Sequence, residues 1–167
     1  MSTINGRLCV VNGTPVDKVF SDGKQVYGRN LLTGTSGDLQ TKHFTNSWNS
    51  GPQSTNGKYK IKLVKGQTYT YRVWLDNTNG ADYAFVDIRI APIGGSDHNL
   101  GTGKSIKKGE TGYSTCVFTP TEDGYAMLIP LACGSPQTYS AVWKEEKLEK
   151  GSVATPWTPA PEDVGVK

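Results

Sequence analysis

Between residues 68 and 76 the chain reads Thr-Tyr-Thr-Tyr-Arg-Val-Trp-Leu-Asp, an alternation of period two. Tyr69, Tyr71, Val73 and Leu75 fall on one side of it, and Thr70, Arg72, Trp74 and Asp76 on the other. An extended strand is the backbone form that sends successive side chains to opposite faces, so this stretch is expected to lie in a sheet with one face on a core. Residues 58–64 and 83–90 repeat the pattern, the second with Val86, Ile88 and Ile90 on the inward side and Phe85, Asp87 and Arg89 outward. Asn12-Gly13, Asp22-Gly23, Asn56-Gly57, Asn79-Gly80 and Asp123-Gly124 punctuate these runs. Such dipeptides accept the positive φ angles of tight hairpins, and turns at this spacing predict an all-β sandwich.

The chain is long enough to bury about 70% of the surface its unfolded form exposes. Its 167 residues include four Trp, eight Tyr and four Phe, which supply a core without disulfides or metal. No run approaches the 18 apolar residues of a membrane span, and the N-terminus lacks the basic start and apolar stretch of a signal peptide. A soluble protein with no membrane partner is expected, not secreted by the usual route. The formal charge is only +3, and Arg occurs only at 7, 29, 72 and 89. A phosphate-binding face needs clustered Arg and Lys, so nucleic acid is not an expected partner. Cys9, Cys116 and Cys133 form no CxxC pair and read as buried or idle thiols, with zinc or redox chemistry the lesser alternative.

Three units follow along the chain. Residues 1–29 read as a connector carrying one hairpin around Asp22-Gly23, residues 30–163 as the sandwich module, and 164–167 as a linker. The stretch Trp-Lys-Glu-Glu-Lys-Leu-Glu-Lys-Gly at 143–151 has no apolar stripe and reads as a charged edge strand rather than a helix. The proline-rich residues 155–162 are extended, with Trp157 docking back on one end of the sandwich and the chain leading away after Pro161.

Four segments carry a family likeness. Asn-Leu-Leu-Thr-Gly-Thr-Ser-Gly at 30–37, Gly-Gln-Thr-Tyr-Thr-Tyr-Arg-Val-Trp-Leu at 66–75, residues 116–128, and above all Lys-Leu-Glu-Lys-Gly-Ser-Val-Ala-Thr-Pro-Trp-Thr-Pro-Ala-Pro-Glu-Asp at 147–163 resemble the carbohydrate-binding modules of tail and baseplate proteins of phages of Gram-positive hosts. In particular the chain resembles a module of an evolved distal tail protein, or a neighbouring tail-associated protein, of a Lactobacillus-type phage. The resemblance implies a jelly-roll β-sandwich of two antiparallel sheets at the virion tail tip or baseplate. It further implies a non-enzymatic module whose partners are host cell-wall polysaccharide and the rest of the phage tail protein. A structural spacer or subunit-contact domain is the alternative.

Sugar sites need flat rings flanked by groups that hydrogen-bond hydroxyls. Trp74 and Arg72 on one strand, with Asp87 and Arg89 on the next, offer that set, unless Trp74 packs under a loop and Arg72 pairs with Asp87. Trp48 lies in the long polar segment 43–57, and Tyr83 and Tyr139 stand at loop–strand junctions where they could wall a groove or simply pack. Asp76 and Asp87 could serve a glycoside hydrolase if they faced one cleft, a distant third reading. No cofactor is expected. Similar modules often carry a structural calcium ion, but no ligand set for one is readable here. Mixed charge and the lack of a long apolar edge predict that the isolated module is a monomer.

Overall fold

The computed structural model describes residues 2–5, 8–44, 61–133 and 139–165. Its strands are β1 (Ser2–Asn5), β2 (Leu8–Val11), β3 (Thr14–Pro15), β4 (Lys18–Ser21), β5 (Lys24–Gly28), β6 (Gln40–Phe44), β7 (Lys62–Leu63), β8 (Tyr69–Asp76), β9 (Tyr83–Pro92), β10 (His98–Thr102), β11 (Ile106–Lys107), β12 (Thr111–Phe118), β13 (Gly124–Cys133) and β14 (Tyr139–Lys150). One sheet has the order β12-β8-β14-β6 and the facing one β10-β9-β13-β7, with β11 paired to β9. All of these pairs are antiparallel. From β6 onward the chain crosses from one sheet to the other at every step except β9–β10–β11, which stay in one sheet, and this repeated crossing is that of a jelly roll. The fold is therefore an all-β jelly-roll sandwich.

The alternation in the sequence places the core. Tyr71, Val73 and Leu75 of β8 are fully buried and face Val86, Ile88 and Ile90 of β9, with Leu128 of β13 and Leu148 of β14 completing the layer. Cys9, Cys116 and Cys133 are all buried free thiols, and burial raises the Cys9 and Cys116 pKa values. The turns divide. At Asn12-Gly13 and Asp22-Gly23 both residues have positive φ (50° and 79°, 49° and 75°), as a two-residue hairpin of matching twist requires. Asn79 and Gly80 do not take that form. There the Asn77 amide holds the loop by donating to Ala81 O at 2.9 Å and Ile106 O at 3.0 Å. Gly124 is likewise not a hairpin tip but the first residue of β13, and Asn56-Gly57 lies outside the described residues.

The charged stretch 143–151 is the second half of β14: β6 pairs with β14 only as far as Trp143, so from Lys144 to Lys150 the strand has β8 alone beside it and is an edge, as expected, but not an exposed one. Lys147 and Glu149 point outward but are only 1% exposed, because the tail after Gly151 crosses over them. Thr155 is the hub of that cover. Its hydroxyl donates to Glu149 Oε2 at 2.8 Å and accepts from Lys147 Nζ at 2.7 Å and from Gly28 N at 3.1 Å, which uses one donor and two lone pairs. Its N–H donates to Glu149 Oε1 at 2.8 Å, and Pro156 O takes a second Lys147 proton at 2.7 Å. Trp157 donates to Thr35 Oγ1 at 3.2 Å. The chain does not lead away after Pro161: it forms a short 3-10 turn, Pro161–Val164, in which Asp163 accepts the Gly34 N–H and Glu162 pairs with Arg29.

Asn30 ties the other end of the module into the same place. The two hydrogens of its buried amide nitrogen are shared among Thr35 Oγ1, Glu146 O and Thr158 O, and its oxygen accepts from Leu32 N and Leu148 N, all between 3.1 and 3.2 Å. Gly28 stands so near Glu149 that an added Cβ would lie 1.7 Å from Oε2. Gly28→Ala is accordingly expected to cost about 1–3 kcal/mol in a urea titration, the usual penalty of overpacking.

Candidate functional site

The outer face of the β12-β8-β14-β6 sheet is covered by the tail over its Arg72 end and left open at its Trp74 end. Trp74 is directly opposite Tyr113 on β12 and Lys144 on β14, giving a row of three across adjacent strands. The Lys144 ammonium sits 4.9 Å from the Trp74 ring centroid, and the Arg72 guanidinium carbon 3.5 Å from that of Tyr113. Arg72 also donates to Thr155 O at 3.2 Å. Asp76, two residues beyond Trp74 on the same face, accepts from Thr78 N at 3.0 Å and Thr78 Oγ1 at 2.6 Å.

A bulge completes the face. The β14–β8 register shifts between Lys144 and Lys147, and Glu145 takes a left-handed φ of 56°, uncommon for a residue with a side chain. Its N–H donates to Ser36 O at 2.8 Å rather than to a strand partner. The extra residue re-aims two carboxylates. Glu146 turns in and accepts the Tyr71 hydroxyl at 2.8 Å; burial first, and then this carboxylate, pushes that phenol's pKa well up. Glu145 turns out, accepts the Tyr113 hydroxyl and lies 3.3 Å from Lys144. Burial first, then Glu145, raises the Tyr113 pKa. Beside this group is a small cleft lined among others by Thr35, Ser36, Gln40, Trp143 and Glu145.

Of the residues expected from the sequence, Trp74 and Arg72 are on this face. Asp87, Arg89 and Tyr83 are not. β8 and β9 are consecutive in the chain but lie in different sheets, so their outward faces are on opposite sides of the sandwich. An Arg72–Asp87 ion pair, an Asp76–Asp87 cleft and a single site joining Trp74 to Asp87 and Arg89 are all excluded by that topology. On its own face Asp87 is 4% exposed and accepts a short bond from Asn99, and burial raises its carboxyl pKa against the lowering effects of Asn99 and Arg89. Arg89 keeps a buried Nε without a hydrogen-bond partner, and Tyr83 stacks on Phe85 with centroids 5.9 Å apart. Phe85 is not an exposed ring but is buried with Ile129 and Ala132. Tyr139 opens β14 opposite Phe44, and Trp48 lies outside the described residues.

Tyr113, Lys144 and Glu145 were not readable as site residues. Tyr113 stands in an alternating segment and could have been found from its register with β8, whereas the bulge that turns Glu145 outward leaves no mark in the sequence. Among the described residues no group of three or more His, Cys, Asp or Glu side chains could hold a metal ion.

No family model matches the chain, and no curated protein matches it. Among solved structures it is similar to the tripod from the baseplate of bacteriophage Tuc2009, with a TM-score of 0.52 and 18% identity over 81% of this chain. The match takes in 59% of that chain, so the present chain spans less than two thirds of its length. At this identity the likeness is one of fold. A looser similarity, TM-score 0.44 at 12% identity over 76% of this chain and 28% of the other, links it to the CBM22-1–GH10 modules of a Clostridium thermocellum xylanase complexed with xylohexaose.

Proposed function

We propose that the chain is a non-catalytic carbohydrate-binding module of a phage tail or baseplate protein that attaches to saccharide on the wall of a Gram-positive host. The observation that carries this reading is the Trp74–Tyr113 pair, set side by side on an open sheet face with Lys144, Glu145 and Asp76 around it. Ring faces meet the C–H patches of a pyranose, and the carboxylates and ammonium hydrogen-bond its hydroxyls. Lys144 over Trp74 is no obstacle, since an exposed cation–π contact is worth only about 0.5–1 kcal/mol. The fold shared with a phage baseplate protein supports the setting. Single sugar sites are weak, and repeated subunits in a tail would supply avidity.

A fluorescent fusion of the chain is expected to label cells of strains that the parent phage adsorbs to, and to release no reducing sugar from their walls. Failure to label any such strain would favour the second reading, a contact domain of the virion. That reading has its own support in the β4–β5 hairpin, which leaves Phe20 60% and Val26 47% exposed. A stable oligomer in light scattering at micromolar concentration would strengthen it. The saccharide reading expects a monomer.

A further inference from the structure

Charge on the Trp74 face bears on what kind of saccharide it accepts, a step that rests on the saccharide reading above. Four charged side chains surround the rings, Asp76 and Glu145 against Arg72 and Lys144, while Glu146 beside the cleft turns its carboxylate inward to Tyr71. Both cations are engaged, Lys144 with Glu145 at 3.3 Å and Arg72 with the Tyr113 ring and Thr155 O. Recognition of phosphate or carboxylate relies on unpaired guanidinium or ammonium groups converging on one point, with bidentate Arg the strongest form. This face offers the reverse. Its outward carboxylates are acceptors, which need O–H donors from the ligand, and they repel a ligand that carries negative charge. The overall charge of +3 does not supply the missing free cation, because exposed charges beyond about 8 Å are screened at physiological salt.

Glu145 is the residue on which this turns. It holds a left-handed backbone conformation that glycine would occupy without strain, at the one point where the bulge sends its carboxylate out between Tyr113 and Lys144. We propose that the Trp74 face binds uncharged sugar units, and that Glu145 both hydrogen-bonds their hydroxyls and excludes phosphate- or uronate-bearing wall polymers.

The test is titration of the full chain with three probes, a neutral wall polysaccharide, a poly(glycerol phosphate) teichoic acid and a polygalacturonate, each at low and at physiological salt. The neutral polymer is expected to bind with an affinity that changes by less than about twofold with salt, since no counterions are released, and the two anionic polymers are expected not to bind. Glu145→Gln should weaken the neutral polymer about tenfold, the cost of losing a charge-assisted hydrogen bond. Glu145→Lys should gain binding of the anionic polymers that disappears as salt is raised. Glu145→Gly, which suits the backbone, should melt at or above the wild-type temperature while binding no better than Glu145→Gln, which separates the ligand role from a structural one. Wild-type binding of an anionic polymer with a steep salt dependence, or an unchanged affinity in Glu145→Gln, overturns the inference and leaves the saccharide reading standing. Binding to none of the three polymers and to no host wall brings down both.

Discussion

Glu149→Ala should remove about 3–5 kcal/mol of stability and lower the melting temperature by roughly 10 °C. The carboxylate is 1% exposed and serves three buried partners: it accepts from Thr155 N and Thr155 Oγ1, each at 2.8 Å, and faces the Lys147 ammonium at 3.9 Å. Its loss leaves two donors and a buried cation uncompensated at once. Glu149→Gln keeps an acceptor and should recover part of the loss. Differential scanning calorimetry of the three proteins checks the order.

The same pair sets a dependence on pH. Burial lowers the Lys147 pKa from 10.5 to about 8, with Glu149 acting to raise it and Arg72 to lower it. Between those values the unfolded chain binds a proton that the native chain has released, so this group's contribution to stability rises with pH from about 8 to 10.5. Buried thiols act oppositely. Cys9 and Cys116, raised above 9.0, hold protons in the native state that the unfolded chain sheds, so their contribution falls as pH passes that value. The Lys147 rise is therefore expected between about pH 8 and 9. In Glu149→Ala, without the carboxylate that supports the ammonium, the rise should begin at lower pH.

This network also accounts for the most distinctive stretch of the sequence. Lys147, Glu149, Thr155 and Trp157 look in the sequence like a charged strand followed by a proline-rich tail. In three dimensions the two halves complete each other, since the alternation that puts Lys147 and Glu149 outward also sets them under Thr155 and Pro156. Asn30 joins them from the start of the module by bonds to Glu146, Leu148 and Thr158. The motif closes the fold. It does not build the open face, which lies beyond the tail's cover.

What the sequence conveyed was each strand's two faces, because period two depends only on local backbone geometry. Tyr69, Tyr71, Val73 and Leu75 inward, with Arg72 and Trp74 outward, are placed as the alternation requires. What it did not convey was which strand lies beside which. Consecutive strands are usually neighbours, and β8 and β9 are joined by a short loop, yet here that loop carries the chain from one sheet to the other. That single difference splits the expected site in two. It leaves Trp74 with Tyr113, Lys144 and Glu145, and puts Asp87, Arg89 and Tyr83 on the far side of the sandwich.

The division makes the two faces separately testable. Trp74→Ala is expected to reduce cell labelling at least thirtyfold, since removing a central aromatic from a binding face commonly costs about 2 kcal/mol or more. Its melting temperature should stay within a few degrees of wild type, because Trp74 is half-buried on an outer face rather than in the core, where a Trp truncation would cost about 3–5 kcal/mol. Tyr113→Ala should lower labelling in the same direction, as it removes the ring alongside and the hydroxyl that orients Glu145. Tyr83→Ala and Arg89→Ala, on the opposite sheet, should leave labelling unchanged. Loss of labelling in that second pair, with the first pair intact and all four proteins folded, would transfer the site to the face of β9 on which Tyr83 and Arg89 lie.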